Sequence, residues 1–127
     1  MTLLAAHPER NIIHLQLKQN EVLKTMSPEE RAELEQGLAI VDVAKGDYLL
    51  HQGVHEMEQY FVIDGILKRV VTNADAKEMI LRFAPEHDIE TSYAAWRLNT
   101  PTPYAIVSVT KACSAATPRS WSRCRGG

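Results

Sequence analysis

A chain of 127 residues, 45% hydrophobic and 24% charged, is one domain's worth of ordinary globular sequence, able to bury roughly two-thirds of its unfolded surface around a single core. Its formal net charge of −2, from 14 basic and 16 acidic residues, speaks against direct binding of nucleic acid, which calls for a lysine- and arginine-rich face. The apolar runs fall far short of the ~20 residues of a membrane-spanning helix. Residues 1–6 are too short and lack the basic start of a secretory signal. Cys113 and Cys124 alone give no disulfide framework, so cytoplasmic residence is the default expectation.

Within residues 2–25, Leu3, Leu4, Ile12, Ile13, Leu15, Leu17, Val22 and Leu23 are apolar and Pro8 interrupts them; residues 20–26 suit a short helix. The next signal is sharper. In Ser27-Pro28-Glu29-Glu30, Ser27 is placed to be an N-cap, Pro28 to open the helix and Glu30 to complete a capping box. A helix is expected from residue 28 to about 36, stopping at Gly37, with Ala32, Leu34 and Leu38 forming a narrow apolar face against the body of the fold.

Residues 38–43 alternate in the manner of a strand. From residue 45 to 88 short apolar runs are punctuated by Gly46-Asp47, Gly53, Asp64-Gly65 and Asn73-Ala74-Asp75, which reads as a β-meander of consecutive short strands. Tyr60, Phe61, Val62 and Ile63 are apolar on both sides, as in a strand covered on both faces. Residues 66–72 and 78–83 flank the Asn73-Ala74-Asp75 turn as a hairpin, and residues 104–110 alternate again as a late strand. From Cys113 onward apolar periodicity gives way to arginine, serine and a closing Gly-Gly. That stretch reads either as a solvated tail or as a translation past a shifted frame.

Lys45-Gly46-Asp47, Gln52-Gly53 and the run Tyr60 to Lys68 with its Asp64-Gly65 corner resemble the β-roll of cyclic-nucleotide-binding domains, above all in the Crp/Fnr group of bacterial transcription regulators. The resemblance implies a mainly β fold with flanking α-helices, a double-stranded β-helix or jelly-roll, over residues 27–112. Residues 1–26 would be an N-terminal helical or extended segment and residues 113–127 an irregular tail, without the last strand or dimerisation helix of the family. It implies a non-catalytic, effector-sensing module, with homodimerisation as an expectation and DNA reached only through a C-terminal domain absent from this chain.

In that family, a phosphate-binding cassette follows the long hairpin. A short helix turns its N-terminal amides to the cyclic phosphate, a glutamate holds the ribose hydroxyl and an arginine the phosphate, as anion chemistry at a helix start requires. Here Thr91-Ser92 stand where the family has glycine-glutamate, and Pro103-Tyr104 where it has arginine followed by serine or threonine. Glu90 would replace the glutamate only through a slipped register, and Arg97 the arginine only by reaching back across a helix expected over residues 92–98. Losing the cation removes a charged hydrogen bond of about 1.5–3 kcal/mol, roughly tenfold to a hundredfold in affinity. No cofactor is therefore expected, and a cyclic nucleotide is disfavoured.

The candidate ligand-binding residues of this degenerate cassette are Glu90, Thr91, Ser92, Tyr93, Trp96, Arg97, Thr102 and Tyr104. Tyr93, Trp96 and Tyr104 would either line a pocket for an uncharged or aromatic effector or fill the nucleotide's volume and leave a ligand-free interaction module. A cupin-like metal-binding barrel is a further alternative. It needs several histidines and a carboxylate converging inside the barrel, and only His51 and His55 come near that spacing, across a turn at Gly53. No nucleophile with an adjacent base is visible.

Overall fold

The computed structural model describes residues 2–20, 22–55 and 58–117. Its chain order is β1 (Thr2–Leu3), a 3-10 turn (Leu4–Ala6), α1 (Arg10–Leu17), a second 3-10 turn (Leu23–Thr25), α2 (Pro28–Gly37), β2 (Ala39–Val43), β3 (Tyr48–Leu50), β4 (Gln59–Asp64), β5 (Leu67–Thr72), β6 (Glu78–Ala84), β7 (Ile89–Thr91), α3 (Tyr93–Arg97), β8 (Ala105–Ser108) and β9 (Ala112–Ala116). The strands form a five-stranded sheet, β1-β2-β9-β4-β7, and a four-stranded sheet, β3-β8-β5-β6.

The second helix starts as its sequence dictates. The Ser27 hydroxyl accepts from the Glu30 amide at 3.2 Å, and the Glu30 carboxylate accepts from the Ser27 amide at 3.3 Å, a reciprocal capping box. Leu34 and Leu38 are buried beneath it, whereas Ala32 faces solvent. The first helix lies at Arg10–Leu17, not over residues 20–26. There Asn20 shapes the chain: its buried side chain accepts from the amides of Val22 and Leu23 and donates to the Asp88 carbonyl, which favours a tight 3-10 turn over a regular helix.

The meander expectation is corrected by the strand pairing. Among the described residues β5 and β6 alone form a tight hairpin of consecutive strands, and β1 meets β2 only across the whole helical segment between them. Elsewhere β2 pairs with β9, β3 with β8, and β4 with both β7 and β9, so from β2 onward, that hairpin apart, successive strands alternate between the sheets and wind into a roll. The turns were placed correctly, because glycine and asparagine mark corners. Partners separated by tens of residues leave no local mark.

The expectation of an irregular tail from residue 113 is also overturned. Ala112-Cys113-Ser114-Ala115-Ala116 is β9, a central strand buried along most of its length between β2 and β4. Its small side chains carry little hydrophobic pattern, yet small side chains are what permits the close approach on both faces. Residues 118–127, the rest of the expected tail, lie outside the described residues.

Two cores follow. Between the sheets lie Leu50, Leu67, Ala84 and Ile106 from one side and Tyr60, Val62, Ala112 and Ala116 from the other. On the outer face of the five-stranded sheet, Ile13, Leu17, Leu23 and Leu34 of the helical segment cover Ile40, Phe61, Ile63 and Ala115. Strand β4 thus contributes to both, Tyr60 and Val62 inward and Phe61 and Ile63 outward, as its two-sided apolar pattern requires. Gly65 carries the chain from one sheet to the other at φ +87°, packed against Lys111 and Ala112.

Cys113 borders the outer core, and burial, reinforced by Asp42, Asp64 and Glu9, pushes its thiol up to about 12. Because the thiolate is the reactive form, alkylation of Cys113 at pH 8 in a Cys124→Ser background should be at least about tenfold slower in the folded chain than in urea. Equal rates would show that β9 does not pack as described.

Candidate functional site

The hairpin and the turn after it bring four charges together. Glu90, on β7, lies directly opposite Tyr60 and so points between the sheets, where its carboxylate has no solvent exposure. Arg69 of β5 meets it with two parallel bonds, Nη2 to Oε1 at 2.6 Å and Nε to Oε2 at 3.2 Å. Arg82 of β6 adds Nη1 to Oε1 at 3.2 Å and holds Asp88 through Nη2 at 2.5 Å. Arg69 and Arg82 are themselves cross-strand neighbours, a repulsive placement on its own. The buried carboxylate between them turns it into a clamp across the two sheets.

Desolvation is the largest influence on Glu90 and raises its pKa above 4.5, opposed by the hydrogen bond and charge of Arg69 and by Arg82, and reinforced by Asp88. A carboxyl raised on folding binds its proton more tightly in the native state. Its contribution to stability is therefore greatest in mild acid and declines as pH climbs through the raised value. The guanidinium of Arg69 also lies 4.2 Å from the centre of the Tyr104 ring, and the Tyr104 hydroxyl donates to the Thr91 carbonyl. Burial raises the pKa of that phenol, which keeps it a donor.

Other expected site residues are committed elsewhere. Ser92 is buried and ties the chain to Glu58, its amide donating to the Glu58 carbonyl and its hydroxyl accepting from the Glu58 amide, both at 3.0 Å. Thr102 is buried and donates to the Val54 carbonyl from its amide at 2.8 Å and its hydroxyl at 2.9 Å. Thr91 accepts from the Tyr93 amide. The short helix α3 carries Tyr93, which is 40% exposed, and Arg97, which is exposed and makes no ion pair among the described residues. The Trp96 side chain lies outside the described residues. The structure thus joins Glu90, Thr91 and Tyr104 to one cluster and leaves Arg97 out of it.

Arg69 and Arg82 were not among the sequence candidates, although Lys68-Arg69 carries a signal. Two adjacent basic residues in one strand must point to opposite faces, so one of them faces inward and needs an anion. Of the histidines considered for metal, His51 stacks on Tyr48 with ring centroids 5.0 Å apart, and no group of three or more His, Cys, Asp or Glu placed to hold a metal ion occurs among the described residues. No helix among them is long and apolar enough to cross a membrane.

No family model matches the chain, and no curated protein matches it in sequence. Solved structures do match its fold. The regulatory domain of Toxoplasma gondii protein kinase A, crystallised with cAMP, superposes with a TM-score of 0.80 at 18% identity, over 94% of this chain and 46% of that one. The regulatory subunit of a cAMP-independent protein kinase A from Trypanosoma cruzi, bound to guanosine, gives 0.77 at 19%, over 93% and 42%. The N-terminal domain of a transcriptional regulator from Streptomyces coelicolor A3(2) gives 0.67 at 23%, over 86% and 78%.

The class of protein is thereby set at the level of fold: a cyclic-nucleotide-binding-type β-roll, as the resemblance to the Crp/Fnr group implied. The chain spans about half the length of the kinase subunits it matches. Those subunits carry different ligands on one fold, so the roll by itself does not select a ligand.

Proposed function

We propose that this chain is the effector-sensing regulatory domain of a Crp/Fnr-like transcription regulator, without catalytic activity, and that its cassette is closed to cyclic phosphates. The observation that carries the second part is the commitment of Glu90 to Arg69 and Arg82. A ribose-binding glutamate has to offer a free carboxylate, and a phosphate-binding arginine a free positive charge. Here the two arginines are balanced by Glu90 and Asp88, and Pro103 stands at the family's arginine position.

The transcription-regulator reading is supported by the likeness to the Streptomyces coelicolor domain and by the motifs that resemble the Crp/Fnr group. On this reading, signalling is a population shift: an effector with different affinities for two arrangements of the roll changes their balance, and a DNA-binding domain elsewhere in the protein responds. Dimerisation and a cytoplasmic setting belong to the same proposal.

Thermal unfolding at fixed protein concentration tests it. A ligand at a hundred times its Kd adds about 2.7 kcal/mol, or roughly 4–8 °C for a domain near this size. Neither cAMP nor cGMP should move the midpoint. A rise of that size with either would sink the closed-cassette reading.

A further inference from the structure

An outer strand of a sheet leaves half of its backbone N–H and C=O groups without a strand partner, and proteins commonly keep such edges short. Three of the four sheet edges among the described residues obey: β1 has two residues, β3 three and β7 three. The fourth, β6, has seven and is paired there on one side only, by β5. Met79, Ile80, Leu81 and Phe83 lie along it with exposures between 46% and 61%. A long apolar edge in water calls for cover.

The register with β5 assigns the two faces of this edge. Ile80 and Phe83 lie opposite Val70 and Lys68, and Met79 and Ala84 opposite Val71 and Leu67. Leu67 belongs to the core between the sheets, so Met79 and Ala84 share the inner face and Ile80 and Phe83 the outer. Laid antiparallel against a second copy of itself, the strand keeps these faces matched when Ile80 meets Phe83 of the second copy and Met79 meets its Ala84. The same register sets Lys77, just before the strand, beside Glu86 of the second copy, just beyond it, and the two-fold axis repeats that pair at the other end. Both side chains are exposed, and neither enters an ion pair among the described residues. Pro85, which has no N–H to give, ends the ladder at Ala84.

Building on the dimerisation that forms part of the proposed function, we infer that the β6 edge takes a second copy of this chain, β6 against β6, antiparallel about a two-fold axis. The four-stranded sheets of the two copies then run on as one. Backbone hydrogen bonds hold the pair, Ile80 and Phe83 cover each other on the outer face, and the opposite charges of Lys77 and Glu86 fix the register. A contact of this isologous kind uses up the edge of both copies, so assembly stops at two.

Sedimentation velocity of the full chain at low salt, over a dilution series, tests this. The unmodified chain should pass from dimer to monomer in the micromolar range, as small interfaces do. Lys77→Glu and Glu86→Lys each set like charges at both ends of the paired strands and should weaken the dimer at least about tenfold. The double variant Lys77→Glu/Glu86→Lys, and an equal mixture of the two single variants, regain opposite charges in this register and should regain the dimer. Thermal unfolding at the lowest concentration checks that each variant folds, as substitution at exposed positions allows. A chain that stays monomeric up to about 1 mM overturns the inference and leaves the edge to a different partner. A dimer indifferent to both single variants, or one that the double variant does not restore, overturns the β6 pairing while dimerisation itself stands. Neither result touches the sensing role or the closed cassette, which unfolding with cAMP and cGMP tests separately.

Discussion

Arg69→Met should lower the free energy of unfolding by about 3–5 kcal/mol, the cost of stripping one partner from a buried ion pair. A domain of this kind has about 5–15 kcal/mol in all, so the variant stands near the edge of folding. The loss arises from what remains: Glu90 keeps Arg82 at 3.2 Å but gives up the bidentate partner at 2.6 Å while staying fully buried. Removing both members should therefore restore much of the stability. In Arg69→Met/Glu90→Met no carboxylate is left without its partner, Arg82 retains Asp88 and the Ile89 carbonyl, and buried pairs replaced by apolar residues are often neutral. Arg97→Met, on an exposed position, should stay within about 0.5 kcal/mol of the unmodified chain. Urea unfolding at 25 °C measures all three. A cost for Arg69→Met no larger than that for Arg97→Met would mean that water, not Arg69, satisfies Glu90.

The second large effect is at Gly65. A Cβ there would sit 2.6 Å from the Lys111 carbonyl oxygen and 2.8 Å from the Ala112 Cα, on a backbone at φ +87°. Both contacts are backbone atoms of the segment entering β9, so relief requires moving a central strand. Gly65→Ala should cost about 1–2 kcal/mol for the left-handed conformation and a further 1–3 for overpacking. Gly53 supplies the control. It has φ +90° with nothing within 4 Å of an added Cβ, so Gly53→Ala should show the conformational cost alone. Equal losses at the two positions would remove the close approach from the account.

The β5–β6 hairpin explains why the fold was more legible than the site. Its strands, its turn and its apolar content are local properties, and they stand where the sequence puts them. From the turn outward, Thr72 pairs with Glu78, Val71 with Met79 and Val70 with Ile80. Continued unchanged, that register would set Arg69 against Leu81. A bulge between Arg69 and Val70 shifts it, so that Arg69 meets Arg82 instead. A one-residue slip moves every later side chain to the other face. Without knowledge of the bulge, Arg82 belongs outside and no clamp can be inferred. Glu90 was found as a candidate, but its partners lie on strands of the other sheet.

The same distinction between local and distant signals separates α2 from β9. Ser27, Pro28 and Glu30 act within one turn of helix, and the capping box follows from their spacing alone. Ala112 to Ala116 form a strand because β2 and β4 flank them, and alanine and serine carry no strand preference that would reveal it. The cassette lies between these cases. Thr91, Ser92 and Pro103 already signalled a departure from the phosphate-binding pattern, while the pairing of Glu90 with two arginines of a distant hairpin depended on the winding of the roll.

The most direct measurement follows the Glu90 carboxyl carbon by NMR, in the unmodified chain with and without cAMP at about a hundred times a micromolar Kd, and in Arg69→Lys. A resonance that moves on Arg69→Lys and stays in place with cAMP is the predicted result, because Glu90 belongs to the clamp. A resonance that shifts saturably with cAMP and ignores the change at Arg69 would contradict the account and return Glu90 to the role of a nucleotide ligand.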